Sequence, residues 1–279
     1  MNIVGLGSAG CGIVDRFGEH EQYKTYKIDS DIYTEQLNYF QLKKQDSFQE
    51  YEDHTYDLKD YFRNITEEVC FAVAGSGDTP GATLWVLEQL KRYSPSVLYM
   101  RPDVELLNVE GELKERLLRG VLQEYARSAA LNRIYLVDNA IVENFLGDIP
   151  VTKYYDSLND IIVSTLHMIN VFENSNPLIG SLQRPQECNR IATFGIADLE
   201  SGEENLFYSL DLTRERCYYY AINKKRLEED GTLIKKIKNQ VKSKIQENTR
   251  VSYGVFPTEY EHDYVFCKAY TSQIQLKKE

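Results

Sequence analysis

Four glycines, Gly5, Gly7, Gly10 and Gly12, punctuate the stretch Ile3-Val-Gly-Leu-Gly-Ser-Ala-Gly-Cys-Gly-Ile-Val-Asp-Arg-Phe17. Glycine lets the chain bend sharply and keeps side chains away from a bulky anion. The N–H groups that open the following helix face that anion with the positive end of the helix dipole. A nucleotide's phosphates are the usual occupant, and a structural tight turn is the competing reading. The spacing also suits a dinucleotide-binding turn, in which an acid about 20 residues on holds a ribose. Asp29 and Asp31 stand near that place. A second glycine-bearing run, Gly75-Ser-Gly-Asp-Thr-Pro-Gly81, follows the apolar residues 69–74.

These residues need a scaffold, and the first half of the chain supplies one in alternation. After the first helix, residues 26–28 read as a strand, 56–65 as a helix and 69–74 as a buried strand. Then come 82–93 as helix, 96–101 as strand, 112–130 as helix and 133–137 as strand. Such alternation calls for a parallel sheet covered on both faces, with ligands at the carboxyl ends of its strands. Both glycine runs and residues 29–31 fall at those ends. A long helix over 153–172, with Leu158, Ile161, Ile162, Thr165, Leu166, Ile169 and Phe172 around much of its circumference, divides the chain.

Residues 174–185 read as a loop with two prolines and a glycine. The remainder reads as strands at 191–197 and 217–223, a helix over 231–248, and strands at 250–256 and 264–270 forming an antiparallel pair. The helix carries Leu233, Ile234, Ile237, Val241 and Ile245 on one stripe and lysines outside it. An ordinary solvated face explains those lysines, and contact with an acidic neighbour along a filament is the functional alternative.

Composition bounds the function. The 279 residues are 42% hydrophobic and 27% charged, which gives a core and a solvated surface. The formal charge of −11 repels phosphate backbones at long range and argues against nucleic acid as a direct partner. Cys11, Cys70, Cys188, Cys217 and Cys267 are scattered, so reduced thiols are expected and no metal site. No signal peptide is expected, and no run approaches the ~18 apolar residues of a membrane span. A cytoplasmic protein without a membrane partner is the expectation.

The motifs together resemble the tubulin/FtsZ superfamily of filament-forming GTPases. Gly5 to Phe17 is similar, without gaps, to the first glycine loop of FtsZ. Ile28-Asp-Ser-Asp31 resembles the motif after the second strand, and Phe71 to Gly81 stands where the family has its glycine-rich phosphate loop. Arg101-Pro102 and Val109-Glu-Gly111 resemble the loop beside the ribose. Tyr155-Asp-Ser-Leu-Asn-Asp160 resembles the Phe-x-x-x-Asn-Asp that opens the central helix, and residues 253–270 the last strand pair. The resemblance implies an α/β fold: a Rossmann-like parallel-sheet GTPase domain over 1–152, a central helix over 153–173, and a smaller α+β domain over 174–279.

The resemblance also implies site roles. Gly7, Ser8, Gly10 and Cys11 contact phosphates from one side and Gly75, Ser76, Gly77 and Thr79 from the other. Glu110 takes the ribose, Tyr155 covers the base, and Asn159 or Asp160, with Asp160 favoured, accepts guanine's donor pair. Capping of the helix's first turn is the competing role for these polar residues. GTP or GDP, with Mg2+ compatible, is the implied cofactor, and further copies of the chain, stacked head to tail, are the implied partner.

Two departures bear on activity. The run 75–81 is shorter and poorer in glycine than the family's loop, and it carries Asp78 and the N–H-less Pro80. Asp78 either repels phosphates, holds Mg2+ or, in the favoured reading, caps the next helix. The family's hydrolysis is completed by acids on the neighbour's loop after the central helix, and residues 174–186 contain none. Gln183, to orient a water, and Arg184, to neutralise charge, are the remaining catalytic candidates. Slow or absent GTP hydrolysis follows. The alternative is a degenerate tubulin-fold structural or adaptor protein that binds no nucleotide. No recruiting tail is expected beyond residues 277–279.

Overall fold

The computed structural model describes residues 1–31 and 38–276; residues 277–279, named above, lie outside them. Contacts divide the chain into two units. The first holds Met1–Val163 together with Leu276, the second Ser164–Gln275.

Six parallel strands form the sheet of the first unit: β1 (Asn2–Leu6), β2 (Lys24–Asp29), β3 (Tyr39–Gln41), β4 (Val69–Ala74), β5 (Ser96–Arg101) and β6 (Arg133–Asp138), in the order β3-β2-β1-β4-β5-β6. The order reverses direction between β1 and β4, the place where such sheets hold ligands. Its middle strands are nearly continuous apolar runs, because helices cover both faces. The helices are α1 (Gly7–Phe17), α2 (Phe48–Asp53), α3 (Thr83–Leu90), α4 (Val109–Arg127), α5 (Asn139–Glu143) and the first half of α6 (Tyr154–Glu173). α1 buries Ile13, Val14 and Phe17. Along α6, Leu158, Ile162, Thr165, Leu166, Ile169 and Phe172 are buried.

The second unit contains β7 (Ile179–Ser181), β8 (Ile191–Ala197), β9 (Glu204–Leu206), β10 (Glu215–Asn223), α7 (Lys224–Glu229), α8 (Leu233–Lys244), β11 (Arg250–Thr258) and β12 (Tyr264–Thr271). Its sheet runs β8-β12-β10-β11-β7, with β9 on β8. At the end of α6, Glu173 accepts two 2.9 Å hydrogen bonds from the buried Lys268 ammonium on β12 and a third from the Tyr219 hydroxyl on β10.

Three expectations are corrected. Residues 56–65 are not helical but a succession of turns, although Tyr56, Leu58, Phe62 and Ile65 are buried at helix-like spacing. There the Asp57 carboxylate accepts the Lys59 N–H, a local bond that competes with the helical ladder. The strands at 250–256 and 264–270 are not partners. β10 lies between them, parallel to β11 and antiparallel to β12. Its Cys217–Ile222 run is buried throughout, so a neighbour on each side satisfies its backbone. Finally, β7 lies inside the stretch read as a loop and pairs with β11.

All five cysteines are free, and Cys188 alone among them is exposed. Titration of the native protein with a chromogenic disulfide should show one fast-reacting thiol, lost in Cys188→Ser, and the rest only on unfolding. A second fast thiol would contradict the burial of the other four.

Candidate functional site

α1 starts directly after β1 with Leu6 at its cap position, so no side chain caps it. The N–H groups of residues 7–9 therefore have no acceptor one turn back. Ser8 and Ala9 are exposed, and Gly7 takes φ +70°, a conformation that glycine adopts without strain. The Ser8 hydroxyl donates to the buried Asp29 carboxylate at 3.3 Å, and Asp29 also accepts the Ser30 N–H.

Gly10 and Cys11 both face the sheet. Both sit far enough into α1 for their N–H groups to join the helical ladder. A Cβ on Gly10 would lie 2.4 Å from the Ala72 carbonyl oxygen, so this glycine lets α1 dock on β4. The Cys11 thiol faces the Gly5 and Ile28 carbonyls. Burial, and then the negative charge of Asp29, push its pKa up to about 12.

The 75–81 run meets α1. A Cβ on Gly7 would stand 3.7 Å from Thr79 Cβ. Gly77 is exposed, and Ser76 and Thr79 are half-buried. Gly75 packs under the Tyr99 hydroxyl, 2.1 Å from where its Cβ would be. The expected cap from Asp78 is not made: its carboxylate accepts no N–H of the 3₁₀ turn at Thr79–Ala82. It accepts from the Lys114 ammonium at 2.6 Å, a charge-assisted bond stronger than a cap.

Lys114 was not foreseen. It also holds Glu110, at 2.5 Å, and so joins the 75–81 run to α4. Burial opposes its charge, but the bonds from Asp78 and Glu110 outweigh burial and raise its pKa. The signal was Glu110 standing four residues before Lys114, a stabilising order on a helix.

The start of α6 closes on α1. A Cβ on Gly12 would lie 2.7 Å from Asn159 Nδ2, so the amide of Asn159 fills the space that Gly12 leaves. Asp160 pairs with Arg16 Nε at 2.8 Å, and the same guanidinium holds Asp156 and Glu19 at 3.1 Å each. Arg16 was also missed; only its place in α1, among acids distant in sequence, marks it. Tyr155 is 71% exposed, its ring edge-on to Tyr154. Among the described residues, no group of three or more His, Cys, Asp or Glu is placed to hold a metal ion.

Behind the site, Arg101 turns inward. Its Nη1 bonds the Asp138 carboxylate at 2.6 Å, and its Nε lies 3.7 Å from Glu115. Glu115 accepts from Arg119 Nε at 2.6 Å, and all four charged groups are buried. Burial first, and then the Glu115 charge, raise the pKa of the Tyr99 hydroxyl beside them.

In the second unit, Gln183 Oε1 accepts from Arg250 Nε at 2.6 Å, and Arg250 in turn pairs with the buried Glu215 at 3.2 Å. The amide of Gln183 is thus held in one orientation. Arg184 is exposed.

No family model matches the sequence. No curated protein matches it either. Solved structures do match, over nearly the whole chain. An FtsZ dimer from M. jannaschii matches at 13% identity and TM-score 0.69, over 98% of this chain and 88% of that one. A GTPγS-form protofilament of TubZ from Bacillus thuringiensis serovar israelensis matches at 16% and 0.72, over 97% and 86%. A GTPγS-bound protofilament of CetZ2 from Haloferax volcanii matches at 10% and 0.72, over 96% and 92%. The chain has a tubulin/FtsZ-like fold.

Proposed function

We propose that this protein binds a guanine nucleotide in its first unit and assembles head to tail into filaments, with slow or absent GTP hydrolysis. The uncapped, exposed start of α1, set against Thr79, carries the reading. An α-helix that leaves its first N–H groups open beside a glycine-bearing loop is suited to phosphates. The TubZ and CetZ2 neighbours are protofilaments in GTPγS forms, which supports both ligand and assembly.

Gly7, Ser8, Ser76, Gly77 and Thr79 would line the phosphates, with Lys114 offsetting the charge of Asp78. Mg2+ arriving with the nucleotide would neutralise phosphate charge. The Tyr155 ring would cover the base. Asp160, with Asn159 beside it, would accept the donor pair of guanine, whose loss in other bases costs ~1–3 kcal/mol. Glu110 would take the ribose. Gln183 would orient a water without deprotonating it, and the carboxylate-free stretch 174–186 limits turnover. No described helix is long and apolar enough to cross a membrane, in keeping with a cytoplasmic filament.

One observation favours the second reading, a structural or adaptor protein without nucleotide: Gly75 and Gly81 fill packing roles, against Tyr99 and the Phe48 carbonyl. Chromatography of whatever the purified protein releases on denaturation decides between them. Near-stoichiometric GDP or GTP, with phosphate release far below that of an ordinary FtsZ, is the expected result. A protein that is empty and takes up no added GTP supports the second reading.

A further inference from the structure

α4 buries Leu118, Leu122 and Ala126 against the rest of its unit, yet it is apolar on its outer side as well. Its buried face also takes in Glu115, Arg119 and Gln123, and its exposed face carries Val109, Leu113 and Leu117 at 86%, 46% and 54% exposure. Leu106, 82% exposed, extends the stripe just before the helix. Positions 109, 113 and 117 are four apart, so they form one ridge. A single exposed leucine needs no explanation, but a contiguous ridge marks a contact surface. Two acids, Glu105 and Glu112, and one base, Arg116, all exposed, flank it.

Charge indicates what covers the ridge. Residues 1–163 hold 27 acids and 16 bases, a balance equal to the whole −11 of the chain. Residues 164–275 are nearly neutral, with 15 acids and 14 bases. In that second unit, α8 exposes Lys235, Lys238 and Lys242 along one side, while Lys236 and Lys244 are taken up by Glu200 and Glu204. Ile245, 58% exposed, ends the helix and supplies an apolar contact.

We infer that the α4 ridge of one copy is an assembly surface whose partner is the lysine face of α8 on a second copy. The inference rests on the self-assembly proposed above and names the surfaces that make it. The two surfaces differ, so the contact is heterologous and leaves a free surface of each kind on every pair, which propagates an open filament. Complementary charge steers the encounter and the apolar ridge holds it, so added salt slows assembly.

Sedimentation of the full chain with GTP and Mg2+ tests this. Wild type should pellet. Leu113→Glu/Leu117→Glu and Lys235→Glu/Lys238→Glu/Lys242→Glu should each pellet about tenfold less, with unchanged circular dichroism. Mixed in equal amounts, the two variants should form a discrete heterodimer in sedimentation velocity, because each keeps the surface that the other has lost. If glutamate at 113 and 117 unfolds the chain, serine at both positions replaces it. A wild type that never pellets sinks the assembly reading itself. A pelleting wild type overturns only this inference if either variant also pellets, if the α8 variant dimerises alone, or if the mixture stays monomeric.

Discussion

Ala9→Asp should weaken guanine-nucleotide binding about 100-fold, roughly 2.7 kcal/mol, while making the folded protein more stable. Ala9 is the third residue of α1, exposed, in a first turn with no acid and no side-chain cap. A carboxylate there accepts the open N–H groups and interacts favourably with the dipole, worth ~0.3–1 kcal/mol. The same carboxylate occupies the phosphates' donors and repels their charge. Titration with a fluorescent GDP analogue and a thermal melt read the two effects separately, with Ala9→Ser as the control that keeps binding. Loss of stability together with loss of binding would mean local unfolding instead. Wild-type affinity in Ala9→Asp would remove α1 from the site altogether.

Glu115→Ala should cost about 3–5 kcal/mol of folding stability, the largest effect of any single substitution proposed. Glu115 is 3% exposed, between Arg101 and Arg119, which are 9% and 4% exposed. Removing the carboxylate takes from the buried Arg119 guanidinium the charge that accepts from its Nε and Nη2, whereas Arg101 keeps Asp138. Urea unfolding should show the loss, and the melting midpoint should fall by about 10 °C. Glu115→Leu/Arg119→Leu should recover much of it, because replacing a buried ion pair by packed apolar groups is often neutral. A single variant within about 0.5 kcal/mol of wild type would mean that water reaches these groups.

The elements legible in the sequence were those whose signals are local. Alternating apolar strands and amphipathic helices over residues 69–137 specify a parallel sheet, because each strand's pattern reports burial on both faces. The first glycine run marked the β1–α1 turn, and Ser47-x-x-Glu50, close to a capping box, announces α2, which was passed over. Pairing was less legible. Nothing in residues 250–270 reveals that β10 lies between the last two strands, since register depends on partners far away in sequence.

The site divided along the same line. The fold sets Gly7 beside Thr79, Asn159 beside Gly12 and Asp160 beside Arg16. Gly10 and Gly75 also serve close packing, which only the contact distance of a missing Cβ makes visible. Lys114 and Arg16 were missed because their roles come from acids brought to them by the fold: Asp78 lies 36 positions before Lys114, and Asp160 lies 144 after Arg16.

The insertion of β12 between β8 and β10 has a consequence for biosynthesis. Of the strands described, the last to leave the ribosome becomes an interior member of its sheet. Until residues 264–271 emerge, β8 and β10 each present a bare hydrogen-bonding edge, and a nascent chain must be kept from pairing those edges with its neighbours on the polysome. A chain cut short before residue 264 would lose the middle of the second unit's sheet rather than its margin, so a truncation that removes β12 should send the product into inclusion bodies.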